Sequence, residues 1–514
     1  MNNNMQVLIF LCCCCFVVSV VLSISTTPND ELSTLLSIKN SFIDPLNQLK
    51  DWSNNTKNPV SHCKWKGVWC NSQGFVEKLD LSNMYLSGEI PDMIQDFRNL
   101  TTLNLCCNAF TSSLPKSFSK LTSLVSLDLS QNDFIGKFPT GLSEAKGLVS
   151  LNASSNNFVG NLPEDLGFCH ALEMLEFRGN FFQGSIPKSF QSLQKLKFLG
   201  LAGNHLTGEL PPELGNLSSL ETMILGYNEF HGSIPSEFGN LSNLKYLDLV
   251  LGSLSGKIPA QLGKLQKLKI IYLYKNDFEG EIPWELGNIS SLQHLDLSDN
   301  KISGKIPKSL GNLKNLQLLN LMCNDLRGEI PSEIGELTNL QVLALWKNSL
   351  NGSLPMNLGK SSPLQFLDVS SNSLSGEIPA SLCDSGNLTK LILFNNSFSG
   401  PIPLSLSKCV SLVIVRIQNN LFSGSIPAGL GTLSKLERLD LSKNNLTGAI
   451  PDDLSLSSSL SFIDVSYNNL DSTLPSGIHS MPNLQYFMAT LSKLDLFNNS
   501  LMVKYPKTLQ THLL

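Results

Sequence analysis

Seven histidines could supply acid–base chemistry near neutral pH: His62, His170, His205, His231, His294, His479 and His512. Their spacing builds no catalytic pattern. No His-Glu-x-x-His sets two imidazoles on one helix face for zinc, and no Gly-x-Ser-x-Gly elbow presents a serine. His294 and Asp296 stand two apart, so they would share one strand face. Serine and aspartate are abundant here, and such a pair arises by chance. Cys63 and Cys70 lack the two partner ligands a closed zinc site needs. No catalytic residue, metal or cofactor is assigned, and the chain is read as a non-enzyme. The other chemistry on offer is recognition, carried by tyrosine, tryptophan, phenylalanine and arginine side chains that recur in step with a repeat.

That repeat positions everything else. Asn132 and Pro139, in Leu127-Asp128-Leu129-Ser130-Gln131-Asn132-Asp133-Phe134-Ile135-Gly136-Lys137-Phe138-Pro139, define a phrase that recurs seventeen times at 24-residue steps. Asparagine fills its slot fifteen times between positions 84 and 468, with Met84 and Gly252 as exceptions, and the proline is always present. Alternation of Leu127 and Leu129 with Ser126, Asp128 and Ser130 is the period of a strand. The asparagine amide can satisfy backbone groups where the strand turns. The proline fixes its φ and redirects the chain, and the apolar residue before it marks a buried column. One such unit cannot bury its apolar face alone, so neighbours must stack. The expected fold is an α/β leucine-rich repeat solenoid of 24-residue repeats, a twisted horseshoe with a concave parallel sheet. Residues 26–75 would cap it, with an amphipathic helix over 29–43 (Leu32, Leu35, Leu36, Phe42, Ile43) followed by Trp52, Trp65 and Trp69. Repeats would fill 76–488. Past Asn468 the pattern slips by seven positions, to Asn499, so 489–514 reads as a degenerate tail.

Residues 1–25 read as a secretory signal, with an apolar stretch from Val7 to Leu22 and small residues at Ser23 and Ser25. No Lys or Arg precedes that stretch, which leaves an uncleaved signal anchor as the alternative. A secreted chain forms disulfides. Cys63 pairs with Cys70 beside the first repeat, and Cys383 with Cys409 across adjacent repeats; Cys106, Cys107, Cys169 and Cys323 have no evident partners. Asn-x-Ser/Thr acceptors stand at Asn54, Asn99, Asn152, Asn216, Asn240, Asn288, Asn351, Asn387, Asn395, Asn445 and Asn498. Most would lie on outer or lateral faces, while Asn152 points into the concave sheet. With 37 basic against 42 acidic side chains and no basic cluster, nucleic acid is not an expected partner.

The outward concave positions change character along the chain. Early repeats are small and polar. From Arg178 they become bulky: Phe198, Ile224, Tyr227, Tyr246, Val250, Ile270, Tyr272, Tyr274, Lys275, Met322, Trp346, Lys347, Phe366, Phe394 and Arg416, with Asp248, Asp296 and Asp368 beside them. Gly200, Gly203 and Gly226 would leave room for a ligand backbone. Large apolar groups on a solvent-facing sheet call for a cover, and aromatics with arginine are favoured anchors. The run spans on the order of 40 Å at roughly 4.8 Å per strand, the length of an extended peptide of about twelve residues. Ordinary drift between repeats is the competing account.

The phrase Leu206-Thr207-Gly208-Glu209-Leu210-Pro211 resembles the plant-specific leucine-rich repeat. The stretch Cys63-Lys64-Trp65-Lys66-Gly67-Val68-Trp69-Cys70 is similar to the cap of plant receptor-like kinases. The segments Gly179–Ser185, Ile224–Phe230 and Leu391–Asn396 resemble the group that includes the MDIS-interacting and tracheary-element-differentiation peptide receptors. The resemblance implies an extracellular domain that binds a secreted peptide or small protein on its concave side and recruits a co-receptor kinase ectodomain. It also implies one transmembrane helix and a kinase, of which this sequence has neither motif. The chain reads as the ectodomain truncated before both: plasma membrane for a full-length receptor, apoplast for the chain as given. Related receptors hold a peptide carboxylate with Arg-x-Arg; here Arg416 is present and Ile414 replaces the first arginine. A soluble defence protein similar to polygalacturonase inhibitors, or a non-functional gene product, are the alternatives.

Overall fold

The computed structural model describes residues 27–53, 60–471 and 474–489. The signal segment, Asn54, Asn498 and nearly all of the tail lie outside the described residues. Nineteen strands form the concave sheet: an antiparallel Val68–Cys70, then parallel strands from Val76–Asp80 to Tyr486–Met488. Its end strands do not pair with each other, so the sheet is open. Each inward leucine is buried, as Leu127 and Leu129 are. Consecutive strands pair in strict register, Ser126 with Ser150 and Leu127 with Leu151.

The asparagines join the repeats. Asn132 donates from Nδ2 to the carbonyls of Leu105, Leu129 and Ser130, and its Oδ1 accepts from the Phe110 amide. Leu105 and Phe110 belong to the preceding repeat, so one side chain closes its own turn and staples it backwards. The residue before each asparagine takes a left-handed φ of 51–67° from Cys107 to Tyr467, a conformation that suits Gly179 and Gly203 and strains Tyr227 and Leu251.

Two features were not evident from the repeat phrase. A second parallel sheet runs along one flank, with fifteen strands from Ile135–Lys137 to Asn469–Leu470. The outer side carries single turns of 3-10 helix such as Lys116–Lys120, which follow the prolines; the one α-helix among the described residues is in the cap. The pre-proline column is buried from Ile90 to Ile450, and Phe110, Phe134, Phe158 and Phe182 stack behind the asparagines at 5.7–6.2 Å.

The cap helix spans Pro28–Ser41, shorter than expected, because Phe42 and Ile43 leave it to pair with Ser87–Gly88. Leu32 and Leu35 are buried, whereas Ile43 is exposed. Val68–Cys70 covers the concave edge, while Phe42–Ile43 ends a separate three-stranded lateral sheet with Ser87–Gly88 and Ala109–Phe110, ahead of the fifteen-stranded one. Trp52 stacks on Trp65 and donates to the Lys66 carbonyl, while Trp69 lies outward under the Lys78 ammonium. No helix among the described residues is long and apolar enough to cross a membrane.

Cys63 pairs with Cys70 and Cys383 with Cys409. The second staple follows a weak stretch, where Ser361 and Ser385 stand in the column filled elsewhere by Leu121, Leu193 and Leu217. Cys106 and Cys107, expected to be unpaired, are joined to each other at the turn of the second repeat. Cys169 and Cys323 are free.

Two outcomes test this account. Asn324→Ala removes a buried amide that donates three bonds and accepts one. It should destabilise by about 2–4 kcal/mol, because the orphaned backbone groups cannot reach water; an unchanged denaturation midpoint would refute the stapling role. The second concerns Glu31, buried at the cap seam with the Val76 amide donating to Oε2 (2.6 Å). Burial pushes its carboxyl up to about 7, with Asp96 adding to the effect. A raised folded-state value means that the native state binds the extra proton. The contribution is full below the ordinary pKa near 4.5 and is lost as pH rises through about 7. The cap should therefore exchange amide hydrogens faster at pH 8 than at pH 5 beyond the intrinsic rate change, and Glu31→Gln should abolish that difference.

Candidate ligand-binding face

In each concave strand the first and third residues face outward. Tyr246, Tyr272 and His294 come from three consecutive strands. The Tyr246 and Tyr272 rings meet edge to face at 5.9 Å, and Tyr272 stacks on His294, with its hydroxyl 2.9 Å from His294 Nδ1. Tyr274 extends the cluster at 6.3 Å from Tyr272 and lies beside Tyr227. Burial, then Asp248, pushes the Tyr246 phenol up to about 12; burial, then Tyr227, does the same to Tyr274. These hydroxyls stay protonated and can donate. His294 thus belongs to an aromatic cluster and shows no bond to Asp296.

The structure spreads the other sequence-selected residues over different settings. Phe198 lies beneath the Arg178 guanidinium, which is paired at 2.9 Å with the buried Glu176. Met322 accepts the Trp346 indole N–H. Tyr227, Lys275 and Lys347 are not strand residues; they occupy the left-handed turn at the strand ends. Val250, counted as outward, is buried. The room expected at Gly200 and Gly226 is already filled. A Cβ on Gly226 would stand 2.7 Å from Val250 Cγ2 and 2.8 Å from Asp248 Oδ1, and one on Gly200 2.8 Å from the Glu176 carboxylate. Gly203 instead serves the left-handed turn.

The aspartates are partly committed to the fold. Asp296 accepts the Ser298 amide and hydroxyl on Oδ1 and the Asn320 amide on Oδ2. Asp368 is buried and accepts the Ser370 amide and hydroxyl, and burial raises its pKa. Asp248 accepts the Val250 amide.

Arg416 lies over the Phe394 ring at 4.4 Å. Ile414 pairs in register with Arg438, which lies over Phe462 at 3.8 Å. A second guanidinium therefore approaches Arg416 from the next repeat, on a different strand from the Arg-x-Arg pattern. Burial, then the charge of Arg438, lowers the Arg416 pKa. The Nε atoms of both arginines are buried without a partner among the described residues.

Of the acceptor asparagines, Asn99, Asn216, Asn240, Asn288 and Asn387 lie along the outer side, and Asn351 and Asn445 on lateral strands. Asn395 sits in a strand-end turn. Asn152 is on the concave face, its Oδ1 accepting from Ser154.

This geometry defines a repeat solenoid with an aromatic-lined concave face. Leucine-rich repeat models match residues 76–134, 148–401 and 410–470, and a leucine-rich repeat N-terminal domain matches 28–71. The crystal structure of a TDR receptor superposes with a TM-score of 0.79 at 48% identity, covering 80% of this chain and 71% of that one. The ectodomain of the Arabidopsis receptor kinase HAESA, in complex with an IDA peptide hormone, gives 0.75 at 34% identity, covering 90% and 82%. MDIS1-interacting receptor like kinase 1 of Arabidopsis thaliana is 54% identical over 103 residues, 20% of this chain and 10% of that protein. The chain belongs to the leucine-rich repeat ectodomains of plant receptor-like kinases. The match spans about a tenth of that curated relative's length.

The aspartate assignments can be separated by substitution. Asp368→Asn keeps an oxygen for the Ser370 donors and should leave the denaturation midpoint nearly unchanged. Asp368→Ala strands both donors and should cost about 1–3 kcal/mol. Equal stability of the two variants would contradict the turn-closing role.

Proposed function

We propose that this chain recognises an extended secreted peptide on its concave face and serves as the extracellular part of a plant cell-surface receptor. The observation that carries this reading is the tyrosine cluster: Tyr246, Tyr272 and Tyr274 remain half-exposed on a sheet whose core is already closed by leucines. Their hydroxyls are donors, and their rings offer rigid apolar area at low entropic cost. Phe198 and Gly226 with Tyr227 flank the cluster on one side. Met322 with Trp346, then Arg416, continue the surface on the other. Asp248, Asp296 and Lys275 give it polarity.

The HAESA ectodomain supports this reading, since its solved complexes hold the peptide IDA and, in one case, the co-receptor SERK1. By the same likeness, a second ectodomain would join this chain once the peptide is seated. Arg416 and Arg438 together would meet an anionic group of the ligand, such as its free carboxyl terminus.

The test uses a random dodecapeptide library displayed on phage and selected on the purified ectodomain. Tyr272→Ala and Trp346→Ala should each weaken a selected peptide roughly thirtyfold, as for a hot-spot truncation of about 2 kcal/mol. Their denaturation midpoints should stay close to that of the unsubstituted protein. Unchanged binding, or unfolding of both variants, would show the aromatic column to be structural.

A further inference from the structure

Along the rim where the chain enters each concave strand, one position per repeat changes character. In the earlier repeats it carries charges that pair with each other: Lys197 with Glu173 and Lys245 with Glu221, each at 2.7 Å. It then becomes glutamine in four consecutive repeats, at Gln293, Gln317, Gln341 and Gln365. Their backbones form a regular ladder at 2.8 Å: the Gln317, Gln341 and Gln365 amides each donate to the preceding glutamine carbonyl, and that of Gln293 to the Lys269 carbonyl. Their side chains are half-exposed or exposed, and none makes a hydrogen bond among the described residues. One repeat later, the Thr389 hydroxyl turns back onto the Gln365 carbonyl, so the run of free amides ends.

The floor beside these amides is apolar. Leu318, Val342 and Phe366 are direct neighbours on three successive strands, and all remain half-exposed. Ala344 leaves a shallow place between Val342 and Trp346. A lane of exposed apolar side chains bordered by unpaired primary amides has two unmet demands at once. The lane needs an apolar cover, and each amide offers two donors and an acceptor. An extended peptide meets both. Its side chains alternate between faces, and every second residue presents its N–H and C=O toward a given edge, at steps of about 7 Å. Neighbouring primary amides can share that N–H and C=O, one group each.

We infer that Gln293, Gln317, Gln341 and Gln365 form an amide rail that binds the main chain of an extended peptide ligand while its side chains enter the Leu318–Val342–Phe366 lane. This rests on the proposed function and deepens it. Four amides at roughly 4.8 Å cover about 14 Å, the length of about four extended residues. The rail therefore gives affinity without sequence preference, and the tyrosine cluster supplies preference next to it.

The probe is a dodecapeptide selected from the random library on the unsubstituted ectodomain, together with variants of it N-methylated at single residues. Gln317→Ala combined with Gln341→Ala should weaken the parent peptide roughly tenfold, the worth of two neutral hydrogen bonds. Gln317→Met with Gln341→Met keeps the stems and should do the same, with unchanged melting. N-methylation at the residues over the rail should weaken binding to the unsubstituted protein and have little further effect on the double variants. If Tyr272→Ala weakens the peptide and the glutamine variants do not, the rail is wrong and the concave-face reading stands. If N-methylation and glutamine removal are additive, the amides do not read the main chain and the inference falls. If no selected peptide responds to Tyr272→Ala, both readings fall.

Discussion

The structure depends on one interaction repeated along its length, the asparagine amide that holds a strand-end turn and reaches back to the repeat before it. A strand of three residues with one buried leucine cannot stand alone, since ordering it costs more than its burial returns. Asn132 makes the turn and the stacking a single event. The same side chain that closes on Leu129 and Ser130 also binds Leu105 and Phe110. Stability is therefore shared between neighbours, and a defect in one rung is felt in two. Gly252 shows what the ladder tolerates. Its rung is missing, yet Asn276 still reaches back to the Leu249 carbonyl, and Asn228 continues the ladder on the other side.

An array held by nearest-neighbour contacts needs its ends closed, and here the cap adds two short antiparallel pairings, one on the concave sheet and one on a short lateral sheet over the first repeats. Glu31 is the joint between cap and first strand. Its burial is compensated by one backbone donor, and its other oxygen has no partner among the described residues. The Cys63–Cys70 bond holds the adjacent antiparallel strand. The Cys383–Cys409 bond lies where the outer column has lost its leucine at Ser385. Two of the three disulfides among the described residues thus stand at the capped end and at a gap in the outer apolar column, while Cys106–Cys107 lies within one turn.

Period and spacing made the repeat architecture, the asparagine ladder, the buried pre-proline column and both predicted disulfides legible in the sequence. Each follows from a residue type that has one main use at a fixed position. The second sheet was not legible, because residues such as Asn157–Asn161 show no long alternation; their pairing exists only once the repeats are stacked. The candidate face was legible as a list of bulky outward residues and not as an arrangement. Gly226 read as open space, whereas Val250 and Asp248, one repeat away, fill it. Arg438 is not legible from the motif, because it stands on the next strand, in register with Ile414 and diagonal to Arg416, whose own in-register partner is Asp440. Tyr227 and Lys275 were placed on the sheet by counting. The left-handed turn lifts them to its edge.

The same ladder explains why recognition can vary on this scaffold. Because the asparagine, the inward leucines and the pre-proline residue carry the fold, the outward positions are released from folding in most repeats. Aspartates two residues before a serine, as at Asp296, Asp368 and Asp440, are the exception: they spend one oxygen on closing the strand end. What remains free is the set of side chains with no internal partner or with only aromatic ones. That set is concentrated between Phe198 and Arg416, where a tyrosine cluster, an apolar lane and a guanidinium follow one another along the sheet, with Arg438 just beyond and paired to Asp440 at 4.0 Å. A surface with this order has a direction, because its aromatic and cationic ends differ. An extended ligand of the kind proposed would meet different chemistry in its two polarities, an asymmetry that the fold sets through the order of its repeats.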